Sequence, residues 1–178
     1  MHCPMTHTSG SVFLNGLLHV FANVFPKSVR YKLIIVAIDG KGNTCRGIHW
    51  QDKHCGVPVF LGQSNGYLHC ISMDETGTGL SIWILEDYRA EKWNLKHTVS
   101  FLKLFGREIT RDDFRDRCNV AAIHPDCNRF FFVWENELIS YDMNRDELCA
   151  LFNVGRHYGH ITPYFPYISE SPALSKKH

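Results

Sequence analysis

Short apolar runs, separated by polar or glycine-bearing breaks, recur along most of the chain, the spacing of strands joined by turns and not of long packed helices. The apolar stretch Ser11–Leu14 stops at Asn15-Gly16 and resumes at Leu17. Asn and Gly both accept positive φ, which a tight type I′ hairpin requires, so this segment predicts strand, turn, strand. The same arrangement returns 50 residues later. Val57–Leu61 leads to Asn65-Gly66, and Asn65-Gly66-Tyr67-Leu68-His69 repeats Asn15-Gly16-Leu17-Leu18-His19, each followed by two apolar residues.

Each hairpin is followed by a second predicted strand pair. In the first unit it is residues 31–38, the polar turn 39–43 and residues 44–50; in the second it is 80–87, the turn 88–92 and 93–101. A third unit lacks the Asn-Gly signature but keeps the order: strands over 119–123, 129–134, 137–141 and 147–153, with turns at 124–128, 135–136 and 142–146. The charged, weakly periodic stretch 102–117 between the second and third units reads as a loop or short helix. Four-stranded units of this length are what propeller blades require, because a lone twisted sheet cannot bury both faces and must pack on neighbours. The expected fold class is therefore all-β, a partial β-propeller of about three four-stranded antiparallel blades. Three blades do not close a ring, so the chain reads as a fragment or truncated product. The expected division is a lead-in over 1–10, the propeller-like domain over 11–170 and a C-terminal tail over 171–178.

Composition narrows the function classes. The 178 residues are 44% hydrophobic and 21% charged, which marks a folding chain, and the formal net charge of +1 offers no field to draw in nucleic acid or anionic membrane. No apolar run approaches the length needed to cross a bilayer as a helix, and the N-terminus lacks the charged and apolar regions of a secretory signal. A cytoplasmic or nuclear location is expected, without membrane or nucleic-acid partners. Seven cysteines at irregular positions suit buried free thiols better than a disulfide framework.

Eleven histidines and seven cysteines invite a zinc reading, with His54-Cys55, His69-Cys70 and His124/Cys127 the nearest local pairs. None has the paired-knuckle spacing of a structural zinc site. His19 and His69 occupy equivalent repeat positions, which a recurring blade role explains more simply. Cys118, Cys127 and Cys149 could in principle find a histidine base, but with this many histidines such a coincidence is expected. No nucleophile elbow, phosphate-binding glycine loop or metalloprotease helix occurs, and Gly62–Gly66 precedes a strand, as a hairpin does. Asp142 and Asp146 bracket a turn in the manner of solvated turn formers. No catalytic, cofactor-binding or metal-ligating residue is assigned, no cofactor is expected, and the chain does not read as an enzyme. The tryptophans Trp83, Trp93 and Trp134 suit blade cores. On strand alternation Trp83 and Leu85 share one face and Ile82 and Ile84 the other. The turns 39–43, 75–79 and 88–92 are the better candidates for partner contact, since recognition residues tend to sit on loops of a rigid scaffold.

Beyond these readings, the chain resembles the F-box-associated, kelch-like β-propeller domain of plant F-box proteins over roughly residues 11–170. The residues that carry the resemblance are the two Asn-Gly-x-Leu-His segments, the run Leu80-Ser81-Ile82-Trp83-Ile84-Leu85-Glu86-Asp87-Tyr88, then Glu91-Lys92-Trp93 with Leu95-Lys96-His97, and the closing Tyr164/Pro166/Tyr167 run. The resemblance implies a protein-interaction module: the substrate-recognition part of a Skp1–cullin–F-box ubiquitin ligase, acting in a ubiquitin conjugation pathway on an unknown target protein. The helical F-box with its Leu-Pro-x-Asp type opening is not seen in this sequence, so a Skp1-type adaptor is an expected partner only if an F-box is supplied elsewhere. The competing reading is a propeller fragment that binds a small molecule or metal, or is enzymatic.

Overall fold

The computed structural model describes residues 10–24, 32–50 and 55–153. The described residues form three four-stranded antiparallel sheets, each with its strands in simple sequential order. Blade 1 contains β1 (Ser11–Leu14), β2 (Leu17–Val24), β3 (Lys32–Ile38) and β4 (Thr44–His49). Blade 2 contains β5 (Val57–Ser64), β6 (Tyr67–Met73), β7 (Gly79–Asp87) and β8 (Lys92–Ser100). Two short helices follow, α1 (Phe101–Phe105) and α2 (Arg111–Arg117), and blade 3 closes the order with β9 (Cys118–Ile123), β10 (Arg129–Trp134), β11 (Glu137–Asp142) and β12 (Glu147–Asn153). The first strands lie next to one another, β1 against β5 and β5 against β9, so the blades fan out from a common inner edge. That is the arrangement of a partial propeller, as the strand pattern predicts.

Both repeat hairpins have the expected backbone: Asn15 and Asn65 each sit at φ 52°, with Gly16 and Gly66 at φ 79° and 76°. The inner edges approach so closely at Gly10 (φ 95°) that a side chain there would collide with the backbone of Leu61.

Two apolar layers hold the blades together. Between blades 1 and 2, Leu14, Ile35, Ile48 and Trp50 meet Leu61, Leu68, Cys70, Leu85 and Trp93. Between blades 2 and 3, Ile71, Met73, Leu80, Ile82 and Val99 meet Val120, Ile123, Phe130, Phe132 and Tyr141. Alternation along β6 and β7 sends neighbouring side chains into different layers: Leu68 and Cys70 face blade 1, Ile71 and Met73 face blade 3. Blade 2 is thus apolar on both faces. At roughly 1.5–3 kcal/mol for each fully buried large aliphatic or aromatic side chain, these layers are the main source of stability.

The stretch 102–117 is two helices, and Phe101, expected as the end of a strand, opens the first. Ser100 caps α1 through its side chain and Gly106 ends it in the left-handed conformation; Thr110 and Asp113 form a reciprocal capping box on α2. Phe101 and Phe114 stack at 4.9 Å between ring centres, which closes the outer side of the second layer. Trp50 lies just past β4, and Tyr31 lies outside the described residues, as do His54, residues 1–9 of the lead-in, residues 154–170 with the closing Tyr164/Tyr167 run, and the tail 171–178.

Candidate interaction surface

Two inner-edge hairpin turns, those after β5 and β9, meet and form a rim. β5 and β9 run side by side in the same direction, so the turn after β5 meets the turn after β9: the Asn65 backbone N–H donates to the Pro125 carbonyl at 2.6 Å, and Ser64 Oγ donates to the Cys127 carbonyl at 3.4 Å. Asn65 Nδ2 donates in turn to Ser64 Oγ at 3.2 Å. Beside this linked pair of turns Tyr67 stands 45% exposed, a large amphipathic ring on a fixed backbone.

The three turns expected to contact partners divide. The 39–43 turn is solvent-facing and held in shape by Asp39, whose carboxylate accepts from the N–H groups of Lys41 and Asn43 at 2.9 and 2.8 Å. Those bonds from Asn43, backbone first, pull the Asp39 pKa below its ordinary value. The 75–79 turn is organised by Asp74, which accepts from the Thr78 N–H at 2.9 Å, and is pinned to α2 by Arg111 donating to the Glu75 carbonyl at 2.9 Å. The 88–92 turn keeps Arg89, Ala90 and Lys92 exposed but commits Tyr88 and Glu91 to contacts with blade 1. Tyr88 hydroxyl and His19 Nε2 are 2.8 Å apart, and Arg46 of β4 lies 5.3 Å over the Tyr88 ring and donates to the Arg89 carbonyl at 2.8 Å. Glu91 accepts from the His49 backbone N–H at 3.0 Å, meets His49 Nδ1 at 3.0 Å and pairs with Arg46 at 3.2 Å. The His49 N–H leads the set of contacts that lower the Glu91 pKa.

A second tyrosine–histidine pair joins the next two blades: His97 Nε2 lies 2.9 Å from the Tyr141 hydroxyl, which donates to Asp146, itself paired with Lys103 at 3.2 Å. Burial, then the Asp146 contact, pushes the Tyr141 pKa up. These inter-blade pairs escaped the sequence reading.

The residues weighed for chemistry sit in structural places. His19 and His69 are both buried at equivalent points of β2 and β6. Burial lowers the pKa of each, that of His69 to about 4, with Tyr67 carbonyl 3.1 Å from its Nδ1 and Lys96 Nζ 3.4 Å from its Nε2. Burial also raises the thiols of Cys70 and Cys118, so neither is ready to act as a thiolate. Cys127 is half-buried in the rim and Cys149 is exposed on β12. Among the described residues no three His, Cys, Asp or Glu side chains converge so as to hold a metal ion. Trp50, Trp83 and Trp93 form one edge-to-face group between blades 1 and 2, and Trp134 stacks on Phe105 at 4.0 Å. Asp142 pairs with Arg129 across β10 and β11 at 2.8 Å and also accepts from the Asn144 N–H, a turn former with an added strand contact. Among the described residues no helix is long and apolar enough to cross a membrane.

Comparison with protein-family models, with curated proteins and with solved structures finds no match to this chain.

Proposed function

We propose that the chain is a protein-interaction module whose inner-edge rim binds a partner protein, with the role of target recognition that its resemblance to F-box-associated propellers implies. The observation that carries this reading is the linked pair of turns at Asn65 and Pro125 with Tyr67 beside them. A contact surface gains affinity when its backbone is already ordered, because little conformational entropy is lost on binding, and Tyr is enriched among binding hot spots. The rim offers both. The partner is an unidentified protein of the cytoplasm or nucleus, and a Skp1-type adaptor joins only where an F-box is provided.

The test is affinity capture from cell extract with the purified 178-residue chain, in parallel with Tyr67→Ala and with an adaptor–cullin preparation. A specific protein retained by the parent chain and reduced at least about tenfold by Tyr67→Ala, a loss of about 1.4 kcal/mol or more, supports the reading. Retention of no protein above control, or retention indifferent to Tyr67, overturns the rim as the site. Stable binding of the adaptor to this chain overturns the conditional place given to the ligase.

A further inference from the structure

Lys96 stands out of step with its strand. In the pairing of β7 with β8, Ile82 lies opposite His97 and Trp83 opposite Leu95, so Lys96 is the extra residue of a bulge. A bulge re-aims a side chain away from the direction that strand alternation would give it. The Lys96 side chain is carried across the sheet to β6, where its Nζ stops 3.4 Å from His69 Nε2. His69 has no exposed surface, whereas Lys96 is exposed.

The chemistry of the pair follows from the other ring nitrogen. His69 Nδ1 lies 3.1 Å from the Tyr67 carbonyl. A carbonyl only accepts, so the proton sits on Nδ1, and Nε2 keeps its lone pair as an acceptor for an N–H of Lys96. Burial holds the ring in this neutral form until the pH falls to about 4. Lys96 therefore faces a neutral acceptor and not a carboxylate. Glu86 on the neighbouring strand is engaged elsewhere, accepting from Asn94 Nδ2 at 2.6 Å. Burial without a counter-charge lowers the Lys96 pKa, so more of this side chain is free amine at a given pH. Lys103 offers the contrast, since its ammonium meets Asp146 at 3.2 Å.

We infer that Lys96 is a site of acyl modification by thioesters, with His69 as the residue that positions its amine. The free amine donates one N–H to His69 Nε2 and turns its lone pair toward solvent. The nitrogen attacks the thioester carbonyl carbon, the C–N bond of an amide forms and the C–S bond breaks. The sulfur leaves with the displaced N–H proton as a thiol. The product is uncharged, so an ammonium on the far side of the His69 ring from the Tyr67 carbonyl gives way to a neutral amide. The reaction does not depend on what the rim binds.

The test is acetylation of the purified 178-residue chain by acetyl coenzyme A, with the rate at each lysine read by peptide mass spectrometry across a range of alkaline pH. Lys96 is expected to react about fivefold or more faster than Lys41 and Lys92, and its rate to level off at a lower pH than theirs. In urea the advantage disappears, because it comes from the fold. Two variants separate positioning from packing. His69→Gln sets an amide oxygen near the place of Nε2 and keeps the advantage. His69→Asn is too short to reach Lys96 and brings its rate and pH profile to those of Lys41, at unchanged far-ultraviolet circular dichroism. Should His69→Asn unfold, the parent, the urea comparison and His69→Gln still decide. Equal rates at Lys41, Lys92 and Lys96 of the folded parent overturn the inference. So does an advantage that persists in urea or in a folded His69→Asn, or one that is lost in His69→Gln.

Discussion

His69 illustrates how burial decides the behaviour of a single residue. Its imidazole has no exposed surface and a Lys96 ammonium close by, and its pKa is drawn down from 6.5 to about 4, by burial first. Below pH 6.5 the unfolded chain takes up a proton at this histidine that the folded chain refuses until about pH 4. Stability should accordingly fall as the pH drops through that window, by up to about 3 kcal/mol from His69 alone. His19 and His97 shift in the same direction and add to the fall. The lowered carboxylates, Asp39, Glu91 and Asp146 among them, act in a separate window, since their contributions are lost only as the pH falls below the ordinary carboxylate range. Urea unfolding at pH 7.5, 5.5 and 4.5 checks this, with His69→Gln expected to flatten the dependence between the first two values. An equal slope in the variant would place the acid sensitivity elsewhere. The equivalence of His19 and His69 was legible in the repeat, but their partners were not. His19 and Tyr88 are 69 residues apart in sequence, and Arg46 and Glu91 are 45 apart. Nothing local in either segment marks the other as its neighbour; only blade stacking brings them together.

At the scale of elements, the Asn-Gly turns and the alternation of apolar residues made the strands readable, because both signals are local and of period two. The third blade was readable without the Asn-Gly turn for the same reason: the apolar run Phe130–Val133 lies between two polar turns. The helices α1 and α2 were harder, since five and seven residues are too few for a 3.6-residue period to show. Their capping residues were the available signal. Thr110→Ala removes the side chain that accepts from the Asp113 N–H and should cost about 1 kcal/mol, read as a lower urea midpoint at unchanged slope. The two hairpin turns make a matched pair for a second measurement. A side chain at Gly16 or Gly66 would meet no neighbouring atom, so Gly16→Ala and Gly66→Ala report backbone strain at positive φ alone. Each is expected to cost roughly 1 kcal/mol. By contrast Gly62→Ala would press its methyl on Phe60 and Ile123 at 3.0–3.1 Å and should cost more than either turn variant. An equal effect at all three glycines would show that the inner edge yields easily.

Across the molecule, each blade is stabilised by what lies on its two faces, and among the described residues blade 2 is the one with a blade packed on both. From Leu68 to Met73 every residue of β6 is buried, whereas every residue of β12 is exposed. Local opening follows such differences, because an amide exchanges when its own segment loosens, and a segment with two covered faces loosens only near global unfolding. Native-state hydrogen exchange should therefore be slowest in β6 and the centre of β7 and fastest in β12. Uniform protection across the three sheets would show instead that they unfold as one unit, with the layers between blades as strong as the hydrogen bonding within them.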